Sequence, residues 1–178
     1  MRKLSNEELG RLDTAAYKKA PKLPVIVVLD NVRSLNNIGS AFRTSDAFRV
    51  EAVYLCGITA TPPHREIHKT ALGATESVDW LYFSTTMEAI NKLRSQGWRI
   101  IAVEQADEST ALQDFRPKKS EKYAFVFGNE IKGVEDKVVM TSDVVVEIPQ
   151  FGTKHSLNIS VTVGVVLWDV WSKLQKIK

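Results

Sequence analysis

The amino-acid sequence predicts a single α/β domain with a mainly parallel sheet. Short apolar runs rich in β-branched residues alternate with segments of helical spacing, the order typical of strand–helix–strand units. No internal repeat, low-complexity stretch or linker divides the 178 residues, and that length suffices for one domain with a buried core. We expect residues 1–21 to form a helical extension and residues 22–178 to form the domain.

Start and stop signals define the elements of the first half. Ser5-Asn6-Glu7-Glu8 has the composition of a capping box, which predicts a first helix that ends before Pro21. Glycines and prolines then punctuate the chain between apolar runs. The predicted elements are strand Val25–Asp30, helix Asn37–Phe48, strand Glu51–Cys56, loop Ile58–Arg65, helix Ile67–Leu72 and strand Ser77–Phe83.

The second half continues the alternation. A second capping box, Thr85-Thr86-Met87-Glu88, predicts a helix that ends at Gly97. The segment Ser156–Lys178 alternates like a strand at its start but is too long for one, so we predict a helix. That helix is apolar on nearly every side and needs cover on more than one face. The remaining predicted elements are strands Arg99–Val103, Tyr123–Phe127 and Val144–Ile148 and a helical turn at Asp136–Met140.

Composition narrows the function classes. Hydrophobic residues make up 44% and charged residues 25% of the chain, the range of globular domains. No apolar run reaches the length of a membrane span, and no apolar leader follows Met1, so neither a membrane protein nor a secreted one is expected. Cys56 is the only cysteine, which excludes an internal disulfide and fits the cytoplasm. A net charge of +3 is compatible with a nucleic-acid partner without indicating one.

The first of three polar loops, Asn31–Arg43, follows the first predicted strand. It is expected to enter a helix at about Asn36 or Asn37. Asn37, Gly39 and Arg43 cluster around that helix start, where free backbone N–H groups favour anions. An asparagine cap, a small glycine for close packing and a surface arginine would explain the same residues without function.

The other two loops also follow predicted strands. Phe127–Gly133 carries two glycines that permit close approach to a ligand, although a simple glycine-rich turn is an alternative. Ile148–Ser160 enters the last helix, where Ser156 is explained as an N-cap but Asn158, within the first turn, is not. Ligands of parallel α/β sheets bind beyond the carboxyl ends of the strands, where all three loops are expected to meet.

Together these segments resemble the three motifs of the SpoU/TrmH RNA 2′-O-ribose methyltransferases, members of the SPOUT superfamily. The resemblance covers about Val25 to Trp171 in the family's order. It implies S-adenosylmethionine as cofactor, S-adenosylhomocysteine as product, a C-terminal trefoil knot and a homodimer. The matching segments are Asn31…Asn37-x-Gly39…Arg43, Phe127-Gly128-Asn129-Glu130…Gly133 and Ile148-Pro149…Gly152…Ser156-Leu157-Asn158-x-Ser160-Val161.

The resemblance also implies roles for single residues. Arg43 matches the arginine regarded as catalytic in the family, and Asn37 matches the asparagine that supports it. The chain departs from the family pattern at Arg49, where relatives commonly have glycine, and we expect that change to affect only the local surface. The other matches are Glu130, Ser156 and Asn158 as polar catalytic-site residues, Gly128, Ile148 and Leu157 as backbone contacts of the cofactor, and Val103 or Glu104 as lining of the same pocket.

Ribose methylation requires in-line attack of a hydroxyl on the sulfonium methyl group and removal of a proton from a weak acid. An arginine is effectively always protonated, so a general base at Arg43 is physically difficult. A guanidinium that grips the neighbouring phosphate and stabilises oxyanion charge is easier. Under either role Arg43→Lys is not a conservative change.

Other candidate residues favour an RNA surface over a separate chemistry. His64 and His68 have the i,i+4 spacing of a metal pair, but only Glu66 accompanies them, so no metal is expected. We instead expect RNA contacts in this region and before the first motif helix, at Arg33, His64, Arg65 and Lys69.

Three further alternatives are weaker. Cys56 as a nucleophile conflicts with its place at the end of an apolar strand, and Trp168 and Trp171 are better explained by a core or a dimer interface than by base stacking. An NAD-linked enzyme lacks the glycine signature after the first strand. The competing function is an RNA-binding module of the same fold without catalysis. Since no appended RNA-binding domain is evident, tRNA is favoured over rRNA as the substrate.

Overall fold

The computed structural model describes residues 1–5 and 7–177, and in this part of the chain one sheet has seven strands. The strands are β1 (Leu23–Asp30), β2 (Val50–Cys56), β3 (Trp80–Phe83), β4 (Trp98–Val103), β5 (Thr110–Ala111), β6 (Lys122–Phe127) and β7 (Val144–Glu147). Their order is β3-β2-β1-β6-β4-β7-β5, and each neighbouring pair is parallel. The predicted single α/β domain with a parallel sheet is confirmed.

Helices cover both faces of this sheet. Alternate residues of β1 point to opposite sides, with Val27 and Leu29 in one core cluster and Ile26 and Val28 in the other. Helices α1, α2, α3 and α7 pack on the first face, and α5 and α6 pack on the second. The helices are α1 (Thr14–Lys19), α2 (Leu35–Ala47), α3 (Arg65–Ala71), α4 (Ala74–Ser77), α5 (Thr86–Ser95), α6 (Asp136–Thr141) and α7 (Ile159–Lys176), with a 3-10 turn at Leu112–Asp114.

Strand register brings the polar loops to one edge. Leu29 near the end of β1 lies opposite Leu55 of β2 and Phe127 of β6, and Val103 of β4 also lies opposite Phe127. The four central strands therefore end at nearly the same level. The loops that follow them start side by side, as the parallel topology predicts.

The predicted first helix is wrong over most of its length. Ser5 and Glu8 do form reciprocal capping contacts of 3.3 and 2.8 Å, but only a turn follows, and it ends at Gly10 with φ +57°. Asn6, the second residue of that capping box, lies outside the described residues. The helix begins at Thr14, where the Asp13 side chain accepts from a backbone N–H. Leu9 and Leu12 stay exposed, so no apolar face stabilises an earlier start.

Two helix starts also differ from the prediction. Ser34, and not an asparagine, caps α2, and its Oγ accepts from the N–H of Asn37 at 3.3 Å. Asn158, and not Ser156, caps α7, and its Oδ1 accepts from the N–H of Ser160 at 2.9 Å. Asn37 thus lies in the first turn of α2, where a cap was expected. Asn158 caps α7, where a first-turn position was expected.

The remaining differences are small. Ser77 was predicted to begin a strand but ends α4, where its hydroxyl donates to Asp46 and to the carbonyl of Ala74; β3 starts only at Trp80. The two-residue β5 and the 3-10 turn are too short to show a periodic pattern and were missed. The other predicted strands and helices of the middle of the chain agree with the structure within two residues.

The last helix is covered on one face and apolar on the other. The domain itself covers most of the apolar residues of this helix: Val163, Val166, Leu167, Val170 and Leu174 are buried and Trp171 is half-buried. The exposed stripe is instead Val161, Val165 and Trp168, with exposed fractions of 52%, 38% and 58%. Lys178 lies outside the described residues. No helix in the described chain is long and apolar enough to cross a membrane.

Candidate active site

The carboxyl ends of β4, β6 and β7 open into one pocket of about 480 Å³. The loops 103–105, 127–133 and 147–162 form its walls, so the second and third polar loops meet there. Its lining includes both apolar and polar residues. The residues predicted to hold a cofactor all line this pocket, namely Val103, Glu104, Gly128, Ile148 and Leu157.

The loop after β6 folds back on itself. Asn129 and Gly133 exchange backbone hydrogen bonds of 2.8 and 2.9 Å, and Gly133 has φ +71°. A Cβ at Gly128 would collide with the backbone of Gly133 and Val134. The loop itself therefore occupies the space that a side chain at Gly128 would need.

Glu104 supports this loop from below. Its carboxylate accepts from the backbone N–H of Val134 at 2.9 Å and from that of Gln105 at 2.9 Å. Gln105 in turn donates its side-chain amide to the carbonyl of His155 at 2.9 Å. Glu104 thus lines the pocket with both oxygens already engaged by the protein, and its first role is to hold two walls together.

A chain of hydrogen bonds connects the three loops beside the pocket. The amide of Asn37 donates to Glu130 Oε1 at 3.3 Å, and its oxygen accepts from Nδ2 of Asn158 at 3.1 Å. Asn158 Oδ1 accepts in turn from the N–H and Oγ of Ser160 at 2.9 and 2.7 Å. Of the predicted catalytic residues, Asn37, Glu130 and Asn158 therefore form one network, and Ser160 orients its last amide. Ser156 lines the pocket next to this network and is exposed.

Glu130 lies at the amino end of α2. Its carboxylate accepts from the backbone N–H groups of Arg33 at 3.1 Å and Ser34 at 3.0 Å, in addition to Asn37. Burial alone would raise the pKa of Glu130, but these donors outweigh it, and the net pKa is lowered from its ordinary value. Glu130 is consequently an ionised anchor for the first loop at neutral pH, consistent with the positive end of a helix dipole.

Asp30, a buried residue at the end of β1, binds several segments that meet at this edge of the sheet. It is 1% exposed and accepts from the hydroxyl of Thr86, from Asn31 Nδ2 at 2.9 Å and from the N–H of Glu135 at 2.8 Å. Asn31 adopts φ +54°, and its carbonyl accepts from the side chain of Asn129 at 2.6 Å. Sequence reasoning missed Asp30 and Asn129, although an acid that closes an apolar strand was a visible signal.

Arg43 lies apart from this pocket within one chain. It is exposed on α2, and its side chain makes no hydrogen bond or ion pair with the residues the structure describes. It lines a second groove, of about 620 Å³, together with Asp46 and Arg49. Gly39, between Asn37 and Arg43, has a packing role, because a Cβ there would collide with Ile67 and Thr70 of α3.

The predicted RNA residues lie near the same sheet edge. Arg33 is exposed beside Glu130, and Arg65 and Lys69 are exposed on α3, which packs against α2. The Nδ1 atom of His64 accepts from the N–H of Glu66 at 3.2 Å and caps α3. Within residues 1–5 and 7–177, no group of three or more acidic, histidine or cysteine side chains is arranged to hold a metal ion.

The cysteine alternative loses support. Cys56 is fully buried at the end of β2, and burial raises the pKa of its thiol to about 12. A thiol with that pKa is not a thiolate at neutral pH and is a poor nucleophile.

Sequence comparison places most of the chain in one family. Residues 24–168 match the family described as the SpoU rRNA Methylase family. A 23S rRNA (guanosine-2′-O-)-methyltransferase of Neisseria meningitidis is 31% identical over 144 residues, which cover 81% of this chain and 56% of the relative. A tRNA (guanosine(18)-2′-O)-methyltransferase of Aquifex aeolicus is 30% identical over 167 residues, covering 92% of this chain and 75% of the relative. The chain thus spans just over half the length of the rRNA enzyme.

Solved structures share the fold. An AdoMet-bound rRNA methyltransferase from Sinorhizobium meliloti superposes with a TM-score of 0.80 at 25% identity, over 89% of this chain and 60% of that one. A TrmH/SpoU tRNA modifying enzyme from A. aeolicus gives 0.77 at 24% identity, over 90% and 79%. Three loops that meet at one sheet edge, and a family match that spans all of them, lead to one conclusion: the chain belongs to the SpoU rRNA methylase family.

Proposed function

We propose that this protein transfers a methyl group from S-adenosylmethionine to a ribose 2′-hydroxyl of RNA. The observation that carries the proposal is the hydrogen-bond chain Glu130–Asn37–Asn158, which joins all three loops at the rim of the pocket. The names of the relatives support the reaction, since they describe guanosine 2′-O-methyltransferases acting on rRNA and on tRNA. Because these names include both rRNA and tRNA enzymes, both RNA classes stay open as the substrate, and we favour tRNA. An RNA substrate also favours the cytoplasm.

The pocket fits the proposed cofactor in size and chemistry. A volume of about 480 Å³ is in the range of small-ligand sites. Phe127, Ile148 and Leu157 offer apolar walls for a base, while the backbone of the 128–133 loop offers polar groups. S-adenosylmethionine would supply an electrophilic methyl group there. The S. meliloti rRNA methyltransferase, whose structure was solved with AdoMet bound, supports the same assignment.

The chain's own residues prepare the hydroxyl for attack. Ionised Glu130 holds the amide of Asn37, and Asn37 holds that of Asn158, so both amides face the pocket rim in fixed orientations. Such preorganised dipoles position a substrate hydroxyl. Arg43, always protonated, would bind the adjacent phosphate and stabilise charge that develops on the oxygen. The proton then leaves to solvent or to a substrate oxygen, because a guanidinium cannot accept it.

We further propose a homodimer. The exposed stripe of Val161, Val165 and Trp168 on α7 continues to Phe48, whose ring lies 6.4 Å from that of Trp168. A symmetric interface would cover this stripe and would bring RNA held near Arg43 of one subunit to the pocket of its partner. Sedimentation at micromolar concentration should give a particle of about 40 kDa, twice the mass of the 20.0 kDa chain.

Two variants test the interface. Trp168→Glu should dissociate the dimer and lower methyl transfer, because a charge would face the apolar stripe. Met140→Glu is the matched control, since Met140 is 84% exposed on α6, across the sheet. A wild-type monomer that methylates RNA would refute the dimer.

The trefoil knot of the family is likewise a proposal here. The chain returns from β7, near one edge of the sheet, so that α7 packs on α2, and the segment before α7 lines the pocket at the ends of β4 and β6. The side-chain amide of Gln105, which follows β4, donates to the carbonyl of His155 in the segment before α7. Pulling the two ends of the chain apart should leave an unfolded chain shorter than the roughly 3.6 Å per residue of a free chain. A full-length extension would contradict the knot.

The direct test measures labelled methyl transfer to unfractionated tRNA and to 23S rRNA, with the methylated positions mapped as 2′-O-methyl nucleotides. Saturable S-adenosylmethionine binding with transfer to one RNA class is expected. Absence of cofactor binding would instead favour the RNA-binding module without catalysis. RNA affinity should also fall steeply between roughly 50 and 200 mM salt, and Arg33→Gln, Arg65→Gln and Lys69→Gln should each reduce that slope.

A further inference from the structure

The groove around Arg43 contains two further arginines, Arg11 and Arg49, that the proposed chemistry does not use. Arg49 follows the last turn of α2, and Arg43 and Arg49 line the same cavity of about 620 Å³. Both residues are exposed, and neither side chain has an ion-pair or hydrogen-bond partner among residues 1–5 and 7–177. Six residues along a helix correspond to about 9 Å, so the two side chains leave the backbone at separate points along the groove.

The backbone gives no reason for an arginine at this position. Arg49 has φ +49°, a conformation that favours glycine. Its N–H donates to the carbonyl of Asp46 at 2.9 Å, and its carbonyl accepts from the N–H of Leu23 at 2.7 Å. These bonds fix the turn from α2 into β2, and glycine would make both without strain. The turn therefore does not explain why this residue is an arginine, and the explanation must lie in the side chain.

The carboxylates that line the groove form no ion pair with Arg43 or Arg49 among the described residues. Asp13 is committed to the cap of α1, where it accepts from a backbone N–H at 2.7 Å, and Asp46 accepts from the hydroxyl of Ser77. Glu76 is the third acid of the groove. Tyr17 also lies in its wall, and its buried hydroxyl has no partner in the described part of the chain. The groove therefore combines free guanidinium donors with an unused polar group.

We propose that Arg49 binds an RNA backbone phosphate next to the one held by Arg43, and so extends the RNA path along α2. The proposal rests on the proposed function. A guanidinium matches phosphate oxygens with paired N–H donors, and phosphate contacts fix the register of the RNA. Arg49 is thus an RNA-positioning residue.

The test compares variants of the full chain by salt titration of binding to labelled, unfractionated tRNA. Arg49→Gly should lower affinity several-fold at low salt and reduce the slope of log K against log salt by about 0.7 to 1. The same variant should melt at a higher temperature and bind S-adenosylmethionine as the wild type does. Arg49→Lys should keep most of the slope. Lys92→Gln, an exposed cation on α5 across the sheet, is the matched control and should change nothing.

An unchanged salt slope in Arg49→Gly, with normal cofactor binding in the wild type, would overturn this proposal and leave the proposed function standing. Weaker RNA binding in Arg49→Ala but not in Arg49→Gly would also overturn it, because only backbone strain separates those two variants. A wild type that binds S-adenosylmethionine and transfers no methyl group would instead refute the proposed function, while the salt slope of Arg49→Gly would still decide the role of Arg49.

Discussion

The side-chain nitrogen of Asn158 lies 3.1 Å from the side-chain oxygen of Asn37, although 121 residues separate the two in the chain. This contact requires β1, β6, β4 and β7 to lie side by side, because Asn37 follows β1 and Asn158 follows β7. It fixes the amide of Asn37 with its nitrogen toward Glu130. The orientation of two amides is therefore a property of the whole sheet edge.

We expect Arg43→Ala to reduce methyl transfer by roughly 100-fold, the usual loss when one group that stabilises charge in the transition state is removed. Cofactor affinity should stay within a few-fold, because Arg43 does not line the pocket. Arg43→Lys should recover little activity. Turnover and S-adenosylmethionine titration measure the two effects, and near-normal turnover in Arg43→Ala would remove the residue from the mechanism.

Asn158→Ala should lose both activity and stability. As the cap of α7, Asn158 contributes about 1 kcal/mol to folding, a cost measurable by urea unfolding. Its amide nitrogen is also the only donor that the described chain offers to Asn37 Oδ1.

Asn158→Asp separates these two roles. The carboxylate still accepts from Ser160 and caps the helix, but it has no N–H to donate to Asn37. Near-normal stability with low activity is expected. An Asn158→Asp protein that methylates RNA at the wild-type rate would show that the link to Asn37 is dispensable.

The stability contribution of Glu130 should depend on pH. Its folded pKa lies below the unfolded value of about 4.3, so the ionised group stabilises the fold above that value, and the contribution is lost as pH falls through the folded pKa. The urea midpoint of Glu130→Gln should be lower than wild type at pH 7, and the two should converge once pH falls below the folded pKa of Glu130. Glu108→Gln, at an exposed carboxylate on the β4–β5 connection, should match wild type at both pH values. A constant difference across pH would mean that charge is not the cause.

Gly128→Ala should weaken cofactor binding and destabilise the fold by about 1 to 3 kcal/mol, since its Cβ collides with backbone that cannot give way cheaply. Gly152→Ala is the matched control in the third loop, because a Cβ there meets nothing within 4 Å. Thermal melting and S-adenosylmethionine titration check both variants. Equal behaviour of the two alanine variants would contradict the packing of the 128–133 loop.

Much of the fold could be predicted because strand ends are marked locally. Apolar β-branched runs closed by Asp30, Cys56 or a glycine predict where each strand stops, and parallel topology then gathers the loops. The first helix could not be predicted from its capping box, since a helix also needs an apolar face to dock, and Leu9 and Leu12 find none.

Most residues of the candidate site could be predicted from the sequence, but their arrangement in space could not. The cap of α7 depends on where the chain leaves the sheet edge, which no residue type reveals, so Asn158 is the cap and Ser156 lies in the loop before it. The separation of Arg43 from Asn37 could have been found, because six residues are about 1.7 turns and place the two on different helix faces. The left-handed turn at Arg49 was visible only as a departure from the family's glycine.

Asp30 belongs to none of the three motifs, yet it holds the start of α5, the backbone at Glu135 and the side chain of Asn31. Its oxygens are engaged by donors from three separate segments, so an apolar replacement would leave each of those donors unpaired in the interior. A transplant of the three loops onto another parallel α/β scaffold would fail without this acid and its hydroxyl partner Thr86. The transferable unit of this active site is the three loops together with one buried carboxylate beneath them.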